Sequence, residues 1–330
     1  MKRRDFLTGA AVFGPVMAGL IQRATAQGPP DQSAPLDHGA PAAVSADKLA
    51  RISIMTYNFT SRLKLEGQPP NPNRILEIFD IPQMYADVYG VHNVELQHSH
   101  FASTETSYLR DFRARIEKVK SRMTQINVEF GQMTVSAADP VQRHQAIDLT
   151  ARWVDHAVIL NCPRVMINQG QLTPETKENA TAALKMMSDY AKTKGVKISV
   201  ETRVVASGTG GRGRGDNSTP PPAPPPGLPL ASPGGPLAWE LVREVVEASG
   251  AYSNVDIGNI KAPDQASLHG VIKGLFPTNS GNMHMKLSPD WDLATAVRYT
   301  NNELGYKGLY SIEVNPPLIR GVYDTILANI

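Results

Sequence analysis

The chain has 330 residues, of which 41% are hydrophobic and 19% are charged, and its formal net charge is +2. This composition is typical of a globular protein, and the charge is too low for an electrostatic nucleic-acid binder. The single cysteine, Cys162, excludes an internal disulfide and any zinc or iron–sulfur site built from several cysteines. The length suits one large barrel or two modest domains.

The N-terminus has the layered pattern of an export signal. Arg3 and Arg4 precede an apolar stretch over 7–21. This pattern resembles a twin-arginine signal peptide, which the twin-arginine export machinery recognises. We predict a signal peptide over 1–26, a flexible leader over 27–50 and a periplasmic or secreted protein. Removing the signal leaves a net charge of −1, and no later apolar run is long enough to span a bilayer, so we expect no stable membrane insertion.

Residues 51–330 alternate between apolar β-rich runs and helical periods. The eight predicted strands are 52–58, 92–97, 127–134, 164–169, 196–201, 252–256, 282–287 and 308–313. Between them, apolar residues recur at every third or fourth position, and one such helical stripe continues through Val119 to Met123 and Ile126. Apolar strands separated by helices indicate a parallel sheet that helices cover.

A segment rich in proline and glycine interrupts this alternation at 206–236. It holds 9 Pro and 8 Gly among 31 residues, a composition that forms neither helix nor strand. We interpret it as a disordered insertion after the fifth strand, with a lid as the alternative. The remaining length gives about 31 residues to each of eight strand–helix units, as in a (β/α)₈ barrel. No phosphate-binding glycine motif follows the first strand. We therefore predict an α/β fold, a single (β/α)₈ TIM barrel, over 51–330.

Charged or imidazole side chains at the ends of four late strands predict a metal site. They are Glu201, Asp256, His284 and Glu313, each flanked by apolar or small residues. In such barrels the strand ends at the carboxyl side carry the chemistry, and a buried carboxylate needs a cation or a proton to neutralise it. Solvent exposure or an arginine partner would explain any one of the four, but four together favour a shared divalent ion. Three carboxylates and one imidazole suit Mn²⁺ best, while Mg²⁺, Co²⁺ and Zn²⁺ are compatible.

Several short segments resemble the sugar phosphate isomerase/epimerase family, whose members are xylose-isomerase-like barrels. The resemblance rests on residues 79–90, 94–96, 200–201, 256–259, 284–286 and 312–313. It implies that Glu201, Asp256, His284 and Glu313 bind a divalent metal ion, and that the two glutamates are the catalytic acid and base on opposite faces of the substrate carbon. Asn259 stands where tagatose-type epimerases have histidine, which is a departure from the free-ketose enzymes.

Further polar residues near the strand ends are candidates for substrate binding. They are Glu95, His98, Asn168, Gln169, Arg203, Asn259 and Lys286. Their amide, imidazole and charged groups can hydrogen-bond sugar hydroxyls. Each of three candidates has an alternative to substrate binding. Lys286 is equally compatible with a salt bridge at the barrel rim, and His98 with a structural place in a loop at the barrel mouth. Arg203 is compatible with support of the metal ligands.

We predict a divalent-metal-dependent sugar isomerase or epimerase. Removing a proton beside a carbonyl gives an enediolate, whose charge a divalent cation stabilises while carboxylates transfer the proton. The alternatives are a metal-dependent lyase acting on 3-keto-glycosides or related keto-sugars, and a non-catalytic carbohydrate-binding barrel. Because phosphorylated sugars are scarce outside the cytoplasm, we expect a small-molecule carbohydrate such as a free sugar or sugar derivative as the partner. We expect no nucleic-acid partner, and the sequence is compatible with a homo-oligomer.

Overall fold

The computed structural model describes residues 44–68, 71–130, 133–170, 172–206 and 237–330. The predicted signal peptide, most of the predicted leader and residues 207–236 of the predicted insertion lie outside these ranges. Among the helices within them, none is both long enough and apolar enough to cross a membrane.

Eight parallel strands close into a barrel, which confirms the predicted (β/α)₈ fold. The barrel strands are β1 (Ile52–Met55), β2 (Asn93–Gln97), β3 (Arg122–Val128), β4 (Arg164–Asn168), β5 (Lys197–Glu201), β8 (Tyr252–Asp256), β10 (Asn279–Met285) and β11 (Leu309–Ile312). They follow one another around the barrel in chain order, and β11 pairs with β1 to close it. Beside the barrel, three short strands form a separate sheet: β6 (Val204–Val205), β7 (Leu237–Ala238) and β9 (Ile260–Lys261).

Helices lie before, between and after the barrel strands and cover the outside of the sheet. They are α1 (Ala46–Leu49), α2 (Ile81–Tyr89), α3 (Thr106–Lys118), α4 (Pro140–Ile159), α5 (Lys177–Thr193), α6 (Trp239–Ser249), α7 (Gln265–Leu275), α8 (Leu293–Arg298) and α9 (Ile319–Asn329). Each long helix buries one face. In α5, Ala180, Leu184 and Met187 lie on the buried side at helical spacing, and burial of each large apolar side chain contributes about 1.5–3 kcal/mol.

The third strand begins earlier than predicted. Helix α3 ends at Lys118, and Lys120 adopts a φ of 55°, so the chain leaves the helix before Met123. Val94 pairs with Met123 and Glu95 with Gln125, which leaves one extra residue, a bulge, in β3. The bulge breaks the two-residue alternation of the strand. The three-residue spacing from Met123 to Ile126, which predicted a helix, therefore occurs in a strand.

The barrel has an apolar outer layer and a polar interior. Apolar strand residues such as Ile54 and Leu96 are fully buried in the main hydrophobic core. Inside the barrel, by contrast, buried polar side chains hydrogen-bond one another, as Ser53 Oγ does with Thr124 Oγ1 at 3.0 Å. This polar filling lets charged groups at the carboxyl ends of the strands keep hydrogen-bond partners below them.

Candidate metal centre

Four side chains from four neighbouring barrel strands meet at the carboxyl end of the barrel. Glu201 ends β5, Asp256 ends β8, His284 lies in β10 and Glu313 follows β11. One potential ligand atom from each residue lies within 4.8 Å of the other three. The parallel register explains part of this convergence, because β8 and β10 pair Asp256 directly with His284. All four predicted metal ligands are therefore brought together.

The cluster has the chemistry of a divalent-cation site. His284 Nδ1 lies 2.9 Å from Glu313 Oε2 and 3.8 Å from Asp256 Oδ2. Nδ1 and Oε2 are both buried, and neither has a well-aligned hydrogen bond to any described residue. A cation between them would satisfy both atoms. Three carboxylates and one imidazole nitrogen are a donor set that Mn²⁺ and related ions accept, so these residues fit a divalent metal ion.

Burial and neighbouring charges together set the protonation of two carboxylates in the cluster. Burial raises the pKa of Glu201 to about 7, and the opposing effects of Lys286 and of the neighbouring carboxylates leave it there. Burial also acts to raise the pKa of Asp256, but Lys286 and His284 outweigh it and hold that pKa well below its usual range. The cluster thus pairs an ionised carboxylate with one that can gain or lose a proton near neutral pH.

Glu95, predicted to bind substrate, lies beneath the cluster with no exposed surface. Its Oε1 is 2.7 Å from His284 Nε2. Four further side chains donate hydrogen bonds to the carboxylate, at 2.5–3.0 Å: Gln125, Asn127, Asn282 and Ser311. Because a carboxylate only accepts, Nε2 carries the proton of this contact and Nδ1 faces Asp256 and Glu313. Glu95 therefore orients a candidate metal ligand.

The same contacts set the ionisation of Glu95 and His284. Burial acts to raise the pKa of Glu95, but His284 and the hydrogen-bond donors outweigh it and lower the pKa to about 2. Burial acts to lower the pKa of His284, whereas Glu95, Asp256 and Glu313 together raise it well above its ordinary value. Glu95 is therefore an anion at all physiological pH values.

Lys286 and Asn259 contact the ligand carboxylates themselves. Lys286 Nζ lies 2.7 Å from Asp256 Oδ2 and 2.8 Å from Glu313 Oε1, so its ion pairs lie within the cluster and not at the barrel rim. Asn259 Nδ2 donates to Asp256 Oδ2 at 2.7 Å and to Glu201 Oε1 at 3.2 Å. Both predicted substrate-binding residues therefore lie at the centre and hold its carboxylates in place.

A glycine allows Lys286 this close approach. A Cβ atom on Gly258 would lie 2.4 Å from Lys286 Cβ, which is closer than real side chains come. The backbone N–H groups of Gly258 and Asn259 also donate to Asp256 Oδ1 at 3.0 and 3.1 Å. The short turn after β8 thus orients Asp256 and leaves space for the lysine.

Polar residues continue from the cluster along the ends of the neighbouring strands. The guanidinium of Arg203 donates to Glu201 Oε2 from Nη2 at 3.0 Å and from Nε at 3.2 Å. Gln169, the residue after β4, donates to the Arg203 carbonyl at 3.0 Å and accepts from its N–H at 3.2 Å. Gln169 therefore holds the backbone of Arg203, and Arg203 supports a candidate metal ligand, which was one of the two roles predicted for it.

Three residues extend this polar edge to β2. The backbone N–H of Glu129 donates to His98 Nδ1 at 3.2 Å. Asn168 Nδ2 donates to Glu129 Oε2. His98 also packs edge-to-face against Trp153, with ring centroids 5.6 Å apart. We call His98, Glu129 and Asn168 the β2–β4 arc.

Glu129 is the site residue that sequence reasoning missed. The predicted third strand covered 127–134 and placed Glu129 inside a strand, whereas β3 ends at Val128 and Glu129 is the next residue. It therefore occupies the same kind of strand-end position that identified Glu201 and Asp256. A prediction that ended the preceding helix before Met123 would have placed Glu129 at the end of the third strand.

Comparison with solved structures finds the same architecture in a xylose isomerase domain protein and in sugar 3-epimerases. A xylose isomerase domain protein from Planctomyces limnophilus matches with a TM-score of 0.56 and 12% identity, over 84% of this chain and 94% of that chain. The D-psicose 3-epimerase of Clostridium cellulolyticum H10, solved with D-tagatose, matches with a TM-score of 0.55 and 12% identity, over 84% and 96%. Another D-psicose 3-epimerase, solved in the presence of D-fructose, matches with a TM-score of 0.58 and 10% identity, over 84% of this chain and 96% of that chain. This chain therefore shares the (β/α)₈ barrel fold with these proteins.

This likeness extends to fold and not to sequence. No protein-family profile and no curated protein sequence matches the chain. At 10–12% identity the similarity is one of architecture. In TIM barrels the carboxyl ends of the strands are the place where active sites form. Glu201, Asp256, His284 and Glu313 lie at that end.

Proposed function

We propose that this protein is a divalent-metal-dependent sugar isomerase or epimerase acting on a small carbohydrate. The observation that carries the proposal is the convergence of Glu201, Asp256, His284 and Glu313 within 4.8 Å at the carboxyl end of the barrel. Sugar epimerases and a xylose isomerase domain protein share the fold, which supports the choice of carbohydrate chemistry over other metal-dependent reactions.

The four residues would hold the metal through three carboxylate oxygens and His284 Nδ1. Mn²⁺ is the ion we favour, and Mg²⁺, Co²⁺ and Zn²⁺ also fit the donor set. When bound, the ion would stabilise the negative charge that develops on the substrate oxygens during proton removal. Glu95 keeps the imidazole oriented for this purpose through its contact with Nε2 at 2.7 Å.

The two glutamates are the proposed proton-transfer groups. Glu201 ends β5 and Glu313 follows β11, and β8 and β10 lie between these two strands in the barrel, so Glu201 and Glu313 approach a bound sugar from two sides. Burial raises the pKa of Glu201 to about 7, which lets this carboxyl accept and return a proton at neutral pH. The side chain of Glu313 is 12% exposed, the most accessible carboxylate of the four, and Lys286 holds its Oε1.

Metal analysis followed by a deuterium-exchange screen tests the proposal. The purified protein should contain one divalent ion per chain, and incubation with ketoses and aldoses in D₂O should incorporate deuterium at a carbon beside the carbonyl. Glu201→Gln and Glu313→Gln should each lower turnover by about 10²–10⁴-fold. Glu117→Gln, on the exposed face of α3, is the matched control and should leave turnover unchanged.

The same screen separates the alternatives. Deuterium incorporation together with loss of a glycosidic substituent from 3-keto-glycosides would indicate the lyase. A bound metal without exchange on any sugar would indicate a non-catalytic carbohydrate-binding barrel. A purified protein that binds no divalent ion would overturn the metal-dependent proposal altogether.

We also propose that residues 1–26 direct export through the twin-arginine machinery. The support is the Arg3–Arg4 pair ahead of an apolar stretch. Replacing both arginines by lysine keeps the charge but should leave the protein in the cytoplasm, as measured by cell fractionation. Unchanged export of the double-lysine variant would contradict this proposal.

A further inference from the structure

We propose that Glu129, together with Asn168 and His98, binds hydroxyl groups of the substrate and selects an uncharged sugar over its phosphate ester. This inference deepens the proposed function and rests on it. It assigns a binding role to the half of the barrel mouth that the metal ligands do not occupy. Glu129 is the specificity-determining residue of that half.

The β2–β4 arc lies in the half of the barrel mouth that the metal ligands do not occupy, and its β4 end adjoins the metal centre, because Asn168 pairs with Glu201 in the register of β4 and β5. The ligands come from β5, β8, β10 and β11, while the arc residues follow β2 and β3 or end β4. Hydrogen bonds also join the two halves, because Gln169, the residue after Asn168, holds the backbone of Arg203, and Arg203 pairs with Glu201. A sugar that reaches the centre with one end therefore meets the arc with the other.

The arc offers the hydrogen-bonding groups that hydroxyls need. His98 Nδ1 accepts from the Glu129 N–H, so the ring proton is on Nε2, and burial lowers the pKa of His98 and keeps the ring neutral. Asn168 Oδ1 is buried and accepts no hydrogen bond from any described residue. The arc thus combines two acceptors, Asn168 Oδ1 and the Glu129 carboxylate, with one imidazole donor. A sugar hydroxyl both donates and accepts, so it matches this set.

The charges around the arc disfavour a phosphate. Within the described residues, the two cationic side chains that contact the ligand carboxylates are already paired, Arg203 with Glu201 at 3.0 Å and Lys286 with Asp256 at 2.7 Å. A phosphate dianion, which only accepts hydrogen bonds at neutral pH, would face the Glu129 carboxylate as a like charge.

The usual phosphate-binding loop of TIM barrels is also unsuitable here. In many such barrels, backbone N–H groups near the last strands bind the phosphate. Here the loop between β11 and α9 contains Pro316 and Pro317, which have no N–H to donate. An uncharged hydroxylated end of the substrate is therefore the ligand that suits this barrel mouth.

Binding of inert sugar alcohols tests the inference. The Mn²⁺-loaded protein is titrated with xylitol, ribitol and sorbitol, and then with the terminal monophosphate of the alditol that binds most tightly. The wild-type protein should bind the alditol at least about tenfold more tightly than its phosphate. Glu129→Gln should weaken alditol binding and strengthen phosphate binding, since it removes the charge and keeps the shape. Glu129→Asp, which keeps the charge, should still reject the phosphate.

Opposite shifts for the two probes are a result that a folding defect cannot produce. Glu117→Gln should change neither affinity, and the Glu129 variants should retain the wild-type Mn²⁺ stoichiometry. The inference is overturned if Glu129→Gln leaves both affinities unchanged, weakens the binding of both probes, or loses Mn²⁺. It is also overturned if the wild-type protein binds no alditol. If sugars still exchange deuterium in that case, the proposed function stands without it. Absence of both metal and exchange defeats the proposed function itself.

Discussion

Glu95→Gln tests how far the buried carboxylate controls the metal centre. The carboxylate accepts five side-chain hydrogen bonds, with three donors at Oε1 and two at Oε2. Glutamine has one acceptor oxygen, so its NH₂ group must face donors on one side: either Asn282 and Ser311, or His284 with its neighbours. The side chain keeps its size, so the change acts on charge and hydrogen bonding alone.

The expected effect has two measurable parts. Breaking a buried ion pair by removing one partner costs about 3–5 kcal/mol, and the donors left unpaired act in the same direction, so the free energy of unfolding should fall by about that amount. Loss of the carboxylate behind a ligating histidine lowers metal affinity by about 10–100-fold. Urea denaturation of the metal-free protein measures the first part, and Mn²⁺ titration of the folded protein measures the second.

The result that refutes this reasoning is specific. A Glu95→Gln protein that binds Mn²⁺ within about threefold of the wild-type affinity would show that His284 does not depend on Glu95 for its orientation. Glu117→Gln should leave both the unfolding free energy and the affinity unchanged, because its carboxylate lies on the surface in an exposed pair.

Three further predictions concern other residues. Gly258→Ala should displace Lys286, since the new Cβ would lie 2.4 Å from its Cβ, and should lower both turnover and the thermal unfolding temperature, because overpacking costs about 1–3 kcal/mol; normal turnover and unfolding would contradict the packing argument. Burial lowers the pKa of His100 to about 4. The unfolded state of the protein therefore binds more protons than the folded state between pH 6.5 and 4. The free energy of unfolding should fall by up to about 3 kcal/mol as the pH drops through that range. His100→Gln should remove this loss relative to wild type in pH-dependent denaturation, where Glu201 titrates in the opposite sense. Burial raises the pKa of Cys162 to about 12, so thiol reagents should label it only after unfolding, and rapid labelling of the native protein would disagree with the structure.

The alternation of strands and helices and the four metal-ligand candidates could be predicted from the sequence. Both depend on short-range patterns. Apolar strands separated by amphipathic helices predict a parallel barrel, and a carboxylate that ends an apolar strand is recognisable without knowledge of its neighbours. The structure confirms the barrel and brings Glu201, Asp256, His284 and Glu313 together.

The bounds of the third strand were wrong because periodicity alone could not show a bulge. The extra residue in β3 gave Met123 and Ile126 a helix-like spacing, and the resulting shift concealed Glu129. The turn at Lys120, with its positive φ, is the local feature that separates helix from strand there.

The role of Glu95 was decided by tertiary structure alone. Every residue of β2 is buried, so alternation of polar and apolar residues could not show which face Glu95 occupies. Its contact with His284 joins residues that are 189 positions apart. Such a contact depends on the closure of the barrel and on the register of its strands, whereas a sequence pattern reports only the preferences of neighbouring residues. The amino-acid sequence by itself determined the barrel and the types of side chain at its strand ends, and only the closed barrel decided which of them touch.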